Sequence, residues 1–578
     1  MKNRVIPILI TLVLICVIGG VTAVGLYKNY QKGSTEFVDY EATYGLEKNQ
    51  YNVILNNEIR NFKALEADGT VYIGAENVAS DINTRFYWDS NENIFIYTKP
   101  TEVIKAYPNE KGYHIGGETT ALDYEPVKTI DKKAYVAVDY IKMFTQCALE
   151  TYQTPNRVVI TTVFGESQQA TVKEDTVVRY QGGFRSNILR NISANEKVTI
   201  MQTQDDWSWT GVATDDGYIG WVEKKYLSDP QTVTATAPAF DEGEFTYRKE
   251  EGRICLAWHQ VTNSDASTAA SLQQALNNTE GITIIGPTWF HFSDTNGNVG
   301  NIASQEYVDY AHQQGLKVWA VFQNAITPAG EMSGKLTDKI LSYTSKRETL
   351  ISQLMSTATQ MGIDGINLDF EMIMEEGADN YIQFVRELSV ACRLNGITLS
   401  IDNYVPLYTK HYNRAEQAKF ADYLVIMGYD EYTRGSSEPG PCASIPFVRE
   451  GIEQTLEMIG GDSSKIINGI PFYTPVWESE GTKFNGLQEN VTMPTAKSYL
   501  QKYPDDTQTT WMPELGYTYG YYTSPLNGCT YSMWLEDKDS IEQKMKLIQE
   551  YDLAGVACWK LQQEDADVWP VISSYLQY

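Results

Sequence analysis

The fold of this chain is decided by one stretch, Asp364-Gly365-Ile366-Asn367-Leu368-Asp369-Phe370-Glu371. Apolar and polar residues alternate in it, so the apolar side chains share one face of a strand and the polar side chains share the other. A helical pattern precedes the stretch, and another follows it after a short acidic loop. Helix, strand and helix with brief joints predict a parallel strand covered by helices. Carboxylates in such a strand are costly to bury unless they are paired or used.

The strand and helix patterns continue to alternate from residue 245 to residue 578. Eight such units predict an α/β fold, a (β/α)8 TIM barrel with its site at the carboxyl ends of the strands. The interval from Thr474 to Trp534 is too long for a single crossover between strands. The predicted strands are Arg253–Trp258, Thr283–Phe290, Leu316–Phe322, Ile363–Phe370, Ile397–Asp402, Asp422–Met427, Ile466–Tyr473 and Gly555–Trp559.

The length and the charge of the chain limit its organisation and its partners. At 578 residues it is too long for one hydrophobic core. The formal net charge of -28 argues against nucleic acid binding, because attraction to phosphates needs a basic surface. The cysteines include no C-x-x-C pair and the histidines show no ligand spacing, so we expect neither a metal site nor a cofactor. A Cys442–Cys529 bridge stays open.

The N-terminal residues have the pattern of a membrane segment. Residues 5–27 carry no charge and follow Lys2 and Arg4. That length suffices to span a bilayer, and the preceding positive charges favour a cytoplasmic N-terminus. We therefore expect a transmembrane anchor within residues 1–30 that leaves the catalytic part outside the cell. A signal peptide cleaved near Val21-Thr22-Ala23, which would give a secreted protein, is the alternative.

Two smaller units are predicted between this segment and the barrel. Residues 40–165 contain an internal repeat, since Asp68–Tyr72 recurs as Asp131–Tyr135, and each copy has the pattern of a strand, a short helix and a hairpin. Residues 170–229 carry short β-like runs between polar turns, which is typical of a small β-barrel. Residues 230–244 are rich in Pro, Thr and Ala and have the composition of a linker.

Both units resemble known modules. The repeat resembles the α+β module at the N-terminus of some copper amine oxidases, although no copper ligands come with it. The run from Gly217 to Leu227 resembles the closing strand of bacterial Src homology 3-like domains, which implies a wall peptide as ligand. Its groove would involve Trp207, Tyr218 and Trp221, and the alternative is that these aromatic side chains are core residues.

The central stretch resembles the signature on the fourth barrel strand of the family 18 glycoside hydrolases, the chitinase-like enzymes. The resemblance implies that Glu371 is the general acid and that Asp369 orients the N-acetyl group of the substrate. Asn367 stands where many members have Asp, and the signature begins at Asp364. We expect both residues among those that bind the substrate. The interval from Thr474 to Trp534 resembles the α+β insertion that many members carry after strand seven.

Other strand ends extend the resemblance. Met427-Gly428-Tyr429-Asp430 resembles the Met-x-Tyr-Asp motif of that family, which implies that the Tyr429 hydroxyl holds the acetamido oxygen and that Asp430 supports sugar hydroxyls. Trp559 matches the indole that forms the floor of the sugar site. The remaining candidates for substrate binding follow or end strands two, three and seven: Trp289, Asn324, Tyr473 and Trp477.

The spacing of the two carboxylates bears on the reaction. Asp369 and Glu371 are two residues apart on one strand, so they lie on the same side of the scissile bond, and no opposed carboxylate is evident. As in the family, the acetamido oxygen of the substrate would then act as the nucleophile and the product would retain its configuration. We expect peptidoglycan as the N-acetylated polymer that is cut. A chitin- or glycan-hydrolysing surface enzyme and a non-catalytic glycan-binding protein on the same fold are the alternatives.

Overall fold

The structure is a computed structural model that describes residues 11, 13–23, 33–203, 208–328 and 330–577. The chain forms two compact units. One consists of Met1–Trp88 and Lys105–Glu242, and the other of Asp89–Ile104 and Gly243–Tyr578. Residues 89–104 therefore cluster with the C-terminal part of the chain, although the sequence places them in the repeat module.

The second unit contains a closed barrel of eight parallel strands, which confirms the predicted barrel fold. Neighbours in sequence are neighbours around the barrel, and the first strand pairs with both the second and the last. The strands are β1 (Ile254–His259), β2 (Ile284–Phe292), β3 (Lys317–Gln323), β4 (Gly365–Asp369), β5 (Thr398–Tyr404), β6 (Tyr423–Met427), β7 (Ile466–Pro471) and β8 (Gly555–Trp559).

The alternation in β4 sorts its side chains between two cores. Ile366 and Leu368 are fully buried in the outer core, between the strands and the helices. Asn367 and Asp369 are buried on the opposite, inward face. The helices of this unit are Ala269–Ala275, Gln305–Gln313, Gly334–Leu341, Thr344–Met361, Ala378–Asn395, Arg414–Phe420, Ile445–Ile459, Met493–Lys502, Lys538–Glu550 and Val568–Leu576.

An α+β insertion separates β7 from the helix that precedes β8, where the sequence predicts one. Its helix is Met493–Lys502, and its strands form an antiparallel sheet. In spatial order the strands are Lys483–Thr492, Tyr473–Glu480, Thr530–Leu535, Tyr517–Thr523 and Thr507–Met512. A further short strand, Val299–Asn301, pairs with the end of β2.

Residues 89–104 cap a barrel helix. The helix Thr344–Met361 has no capping side chain of its own. Asp89 instead accepts hydrogen bonds from the backbone nitrogen and hydroxyl of Thr344, at 2.7 and 2.5 Å, and Glu92 accepts the corresponding pair from Ser345. Carboxylates at this end of a helix satisfy free N–H groups and oppose the positive end of the helix dipole. This explains why the segment belongs to the barrel unit.

The first unit is built mainly from two seven-stranded sheets. The first contains, in spatial order, Ala148–Gln153, Asn156–Thr161, Gln50–Leu55, Glu58–Ala67, Thr70–Gly74, Lys133–Ala137 and Val127–Ile130. The second contains Ile188–Ile192, Thr176–Arg179, Ile219–Glu223, Trp209–Thr214, Lys197–Gln202, Gly165–Thr171 and Gln231–Ala235. Short helices occupy Tyr40–Tyr44, Ala75–Asn77, Val78–Ile82 and Val138–Met143.

The remaining strands are short, at Phe86–Asp89, Ile94–Thr98, Val103–Ala106, Gly112–Ile115 and Glu118–Ala121. The family assignments of the two N-terminal modules stay predictions. One detail differs from the sequence analysis, because Gln231–Ala235 lies in the predicted linker and yet forms an edge strand against Gly165–Thr171. Its alternating Thr and Val residues favour strand structure over the flexible linker that its Pro and Ala neighbours suggested.

Three expectations from the sequence concern the membrane anchor, Trp207 and the Cys442–Cys529 bridge. Much of the predicted anchor, residues 1–10, 12 and 24–30, lies outside the described residues, as does Trp207. In the part of the chain that is described, no helix combines the length and the apolar character needed to cross a membrane. Cys442 and Cys529 are free thiols, so the bridge that the sequence left open is not formed.

A buried ion pair between two barrel helices provides a test of the fold. The Arg347 guanidinium donates two hydrogen bonds to the Glu387 carboxylate, at 2.9 and 3.0 Å, and both residues are buried. Because Glu387→Gln leaves the Arg347 charge buried without a counter-charge, we expect it to lower the free energy of unfolding by about 3–5 kcal/mol. Chemical denaturation measures this loss. The matched control is Glu550→Gln in the exposed Arg449–Glu550 pair, which should leave the transition unchanged; equal effects of the two variants would contradict the packing described.

Candidate active site

A cavity of about 270 Å³ opens at the carboxyl ends of the barrel strands. Its carboxyl groups come from the neighbouring strands β4 and β5 and from the turn after β6. The part of its lining that comes from β1, the residue after it and β8 consists of Trp258, Gln260 and Trp559. The other lining residues are Gln323, Gly330, Met332, Asp369, Glu371, Asp402, Tyr404, Met427, Tyr429 and Asp430.

Glu371 follows the end of β4, and hydrogen bonds to its backbone hold it in place. The Asn324 side chain accepts from the Glu371 backbone nitrogen at 3.0 Å and donates to the Glu371 backbone oxygen at 2.7 Å, which fixes the start of the loop. The Tyr404 hydroxyl donates to one oxygen of the Glu371 carboxyl group. Burial, and then the nearby charge of Asp369, raise the pKa of Glu371 to about 8. Glu371 is therefore placed to hold a proton at neutral pH.

Asp369 lies inside the barrel, one step deeper than Glu371. The Gln323 amide donates to one of its carboxyl oxygens at 3.0 Å, and within the described residues the other oxygen has no hydrogen-bond partner. Burial raises the pKa of Asp369 to about 6, and the Gln323 hydrogen bond opposes this rise. Asp369 is thus more acidic than Glu371, and the two carboxyl groups favour different protonation states in the same cavity.

Asn367 supports the carboxyl groups from beneath. It is fully buried, it accepts from the Trp258 indole at 2.8 Å, and it donates to the Ser400 hydroxyl at 2.9 Å and to Asp402 at 2.7 Å. All polar atoms of its side chain are therefore occupied by protein, and Asn367 does not line the cavity. The arrangement makes it a structural partner of Asp402, where the sequence analysis expected a substrate contact.

The end of β6 contributes three residues to the cavity, as its motif suggested: Met427, Tyr429 and Asp430. Burial and the surrounding carboxyl groups raise the pKa of Tyr429, so its hydroxyl stays protonated and can donate a hydrogen bond. Asp430 accepts from the Tyr473 hydroxyl and has a backbone φ of 62°. Tyr473 therefore holds Asp430 from outside the cavity lining.

An indole from the last strand completes the wall opposite the carboxyl groups. Trp559 is partly exposed to the cavity and packs edge-on against Trp258, with ring centroids 5.8 Å apart. A flat apolar surface of this kind suits the apolar face of a pyranose ring. The two rings together give the cavity one aromatic and one acidic side.

Besides Asn367 and Tyr473, four predicted residues do not line the cavity. Asp364 lies at the opposite end of β4, where it accepts from His312 and from the Val318 nitrogen, each at 2.8 Å. Trp289 faces the outer core beside Tyr307, and Trp477 is buried in the insertion, where its indole donates to the Gly440 oxygen at 2.8 Å. Asn324 forms hydrogen bonds to the backbone of Glu371 and does not line the cavity.

Several cavity residues were not anticipated from the sequence: Trp258, Gln260, Gln323, Met332, Asp402 and Tyr404. For two of them a signal was present. Asp402 ends the predicted strand Ile397–Asp402, and Tyr404 follows it by two residues, so that both share a strand face with Ser400. That alternation points both side chains toward the site once the strand is known to belong to a barrel.

Known proteins share this architecture. The protein-family model for glycosyl hydrolases family 18 matches residues 257–564. An uncharacterised glycosylase of Bacillus subtilis, YvbX, is 24% identical over 57% of this chain and 94% of its own length. The cortical fragment-lytic enzyme of Bacillus anthracis is 25% identical over 40% of this chain, which spans only 54% of that enzyme.

A solved structure is similar to this chain in fold. The Bacillus cereus spore cortex-lytic enzyme SleL superposes with a TM-score of 0.50 at 22% identity, over 61% of this chain and 78% of that structure. The matched family segment begins within β1, ends in the loop after β8 and includes all described residues that line the cavity. The chain therefore belongs to the glycosyl hydrolases family 18, a family of glycoside hydrolases.

Proposed function

We propose that this glycoside hydrolase cleaves peptidoglycan at N-acetylglucosamine residues, with retention of configuration and with the substrate's own acetamido group as the nucleophile. The observation that carries the proposal is that Glu371 and Asp369 line one cavity, where burial raises the pKa of Glu371 to about 8 and that of Asp369 only to about 6. In this mechanism Glu371 gives its proton to the leaving oxygen. Asp369 and the Tyr429 hydroxyl hold the acetamide while its oxygen attacks the anomeric carbon. Glu371 then activates the water that opens the cyclic intermediate.

The distribution of carboxyl groups supports a nucleophile from the substrate. A retaining enzyme with its own nucleophile needs a second carboxylate about 5 Å from the acid, on the other side of the sugar. Among the described lining residues, the carboxyl groups come only from β4, β5 and the turn after β6. The facing wall offers Trp258, Gln260 and Trp559, none of which can attack the anomeric carbon. The reaction then requires an N-acetyl group on the sugar that is cleaved.

The choice of peptidoglycan rests on the relatives. The cortical fragment-lytic enzyme and SleL are named for action on spore cortex, and we extend that substrate class to this chain together with an extracellular or spore-wall location. A wall-peptide contact at residues 170–229 would suit the same substrate. Chitin-like glycans carry the same N-acetyl group, so the mass of the fragments released from intact wall glycan distinguishes the two polymers.

Replacing the acid tests whether the protein is a catalyst. Glu371→Gln keeps the size of the side chain and removes its transferable proton, so we expect hydrolysis of peptidoglycan to fall by roughly 10²–10⁴-fold, the usual range for a general acid. The measurement is the release of reducing ends from purified glycan. Glu376→Gln, an exposed residue of the same loop, is the matched control and should retain native activity. Equal release by the native protein and the Glu371 variant would favour the glycan-binding alternative.

The pH dependence reports the two protonation states. Activity should fall as the pH drops through about 6, where Asp369 gains a proton, and fall again as the pH rises through about 8, where Glu371 loses its proton. Because the Tyr404 hydroxyl stabilises the ionised form of Glu371, Tyr404→Phe should raise the pKa of Glu371 and move the alkaline limb to higher pH. A pH–rate profile of each protein measures both effects. An alkaline limb that moved to lower pH in the variant would contradict the assigned hydrogen bond.

A further inference from the structure

Asp402 is a buried carboxyl group for which the proposed reaction has no use. It is 2% exposed, lies near the end of β5 and lines the cavity together with Asp369 and Glu371. The pairing of β4 with β5 sets Asn367 beside Ser400 and Leu368 beside Ile401. The same register places Asp369 beside Asp402, with both side chains on the inward face of neighbouring strands, which lie about 4.8 Å apart.

Among the described residues, no cation pairs with these two groups. The residues that line the cavity include neither lysine nor arginine, and in the described part of the chain no ion pair involves Asp369 or Asp402. Two adjacent buried carboxyl groups without a counter-charge cannot both be ionised at low cost. One proton must therefore be retained by the pair.

Burial indicates which group retains it, because Asp402 is 2% exposed and Asp369 is 6% exposed, and loss of solvation disfavours the ionised form. Asp369 accepts from the Gln323 amide, and within the described residues its other oxygen has no hydrogen-bond partner. One oxygen of Asp402 accepts from the Asn367 amide at 2.7 Å. In a neutral carboxyl group one oxygen accepts while the other carries the proton and donates. A proton on the second oxygen of Asp402 can be donated to the unpartnered oxygen of Asp369. Every oxygen of the two carboxyl groups then takes part in a hydrogen bond.

We propose that Asp402 is a protonated positioning residue that donates its proton in a hydrogen bond to Asp369, so that the pair carries a single negative charge next to Glu371. Asn367 fixes the orientation of Asp402 through its amide. This deepens the proposed function and rests on it only for the role of Glu371. Asp402 neither touches the reacting bond nor transfers a proton to the substrate; it keeps Asp369 ionised and directed into the cavity.

Asp402 faces titratable groups from its own strand and from the neighbouring elements. The titratable groups around it are Asp369 and Glu371 from β4 and the turn after it, Tyr404 on its own strand, Tyr429 and Asp430 after β6, and Tyr381 from the helix that follows β4. Burial and the charge of Asp369 raise the pKa of Asp402, in agreement with the hydrogen-bond pattern.

Infrared spectroscopy of the full chain tests the protonation state without requiring turnover. In protein labelled with ¹³C at the aspartate carboxyl groups, we expect Asp402→Asn to remove absorption of a protonated carboxyl group at neutral pH. The matched control is Asp294→Asn on a surface loop, where hydrogen bonds from Asn298 and Asn296 lower the pKa of Asp294, and this variant should remove carboxylate absorption instead. If Asp402→Asn also removes only carboxylate absorption, Asp402 is ionised and the inference is overturned.

Activity separates positioning from general structural support. An amide can still donate to Asp369, so Asp402→Asn should keep hydrolysis of an N-acetylated glycan within about fivefold of native, whereas Asp402→Ala should lose roughly tenfold or more. Equal losses in the two variants would overturn the positioning role. If the native protein cleaves no N-acetylated glycan, the proposed function fails, and the infrared result still decides the protonation of Asp402. Should the alanine variant fail to fold, the asparagine variant alone carries the test.

Discussion

The structure depends on the burial of several carboxyl groups at one end of the barrel, in a cavity whose described lining includes neither lysine nor arginine. Asp369, Glu371 and Asp402 share a cavity in which each raises the cost of ionising the others. Water would remove this constraint by solvating the charges. In the protein, uncharged groups donate hydrogen bonds to these carboxyl groups instead. The donors are the Gln323 and Asn367 amides and the Tyr404 hydroxyl. The result is that the pKa of each carboxyl group is raised to a different extent.

The barrel makes such a cluster possible. Its parallel strands end together, so residues of neighbouring strands that are distant in sequence meet at one rim. The register sets Gln323 beside Asp369, and the next strand continues this row to Asp402. Below the row, Trp258, Asn367 and Ser400 form a hydrogen-bonded layer that closes the floor. The helices outside the barrel hold the strands in this register through the outer core.

The sequence predicts the scaffold well because hydrophobic alternation and strand spacing are local signals. All eight barrel strands appear where the alternation places them, and the long interval after strand seven contains an α+β insertion. Asp364 could have been assigned to the opposite end of the barrel, since it precedes the strand whose far end carries Glu371. Trp289 was harder to place, because the register of β2 shifts between Thr288 and Phe290 and the alternation fails there.

The parts of the site that sequence reasoning missed depend on lateral neighbours. Nothing within the run of β5 shows that Asp402 lies beside Asp369, because that contact is set by the register between two strands. The same holds for Tyr404 and Glu371, and for Tyr473, which supports Asp430 from behind the cavity. From its place after strand seven, Trp477 was expected to bind the sugar, yet it is completely buried in the insertion.

Burial among acidic neighbours raises the pKa of Glu371 far enough to keep it protonated at neutral pH. The most direct measurement is an NMR titration of the Glu371 side-chain carboxyl carbon in ¹³C-labelled protein, assigned by its loss in the Glu371→Gln spectrum. We expect a pKa of about 8 for Glu371. A value near 4.3, the ordinary value for glutamate, would contradict it.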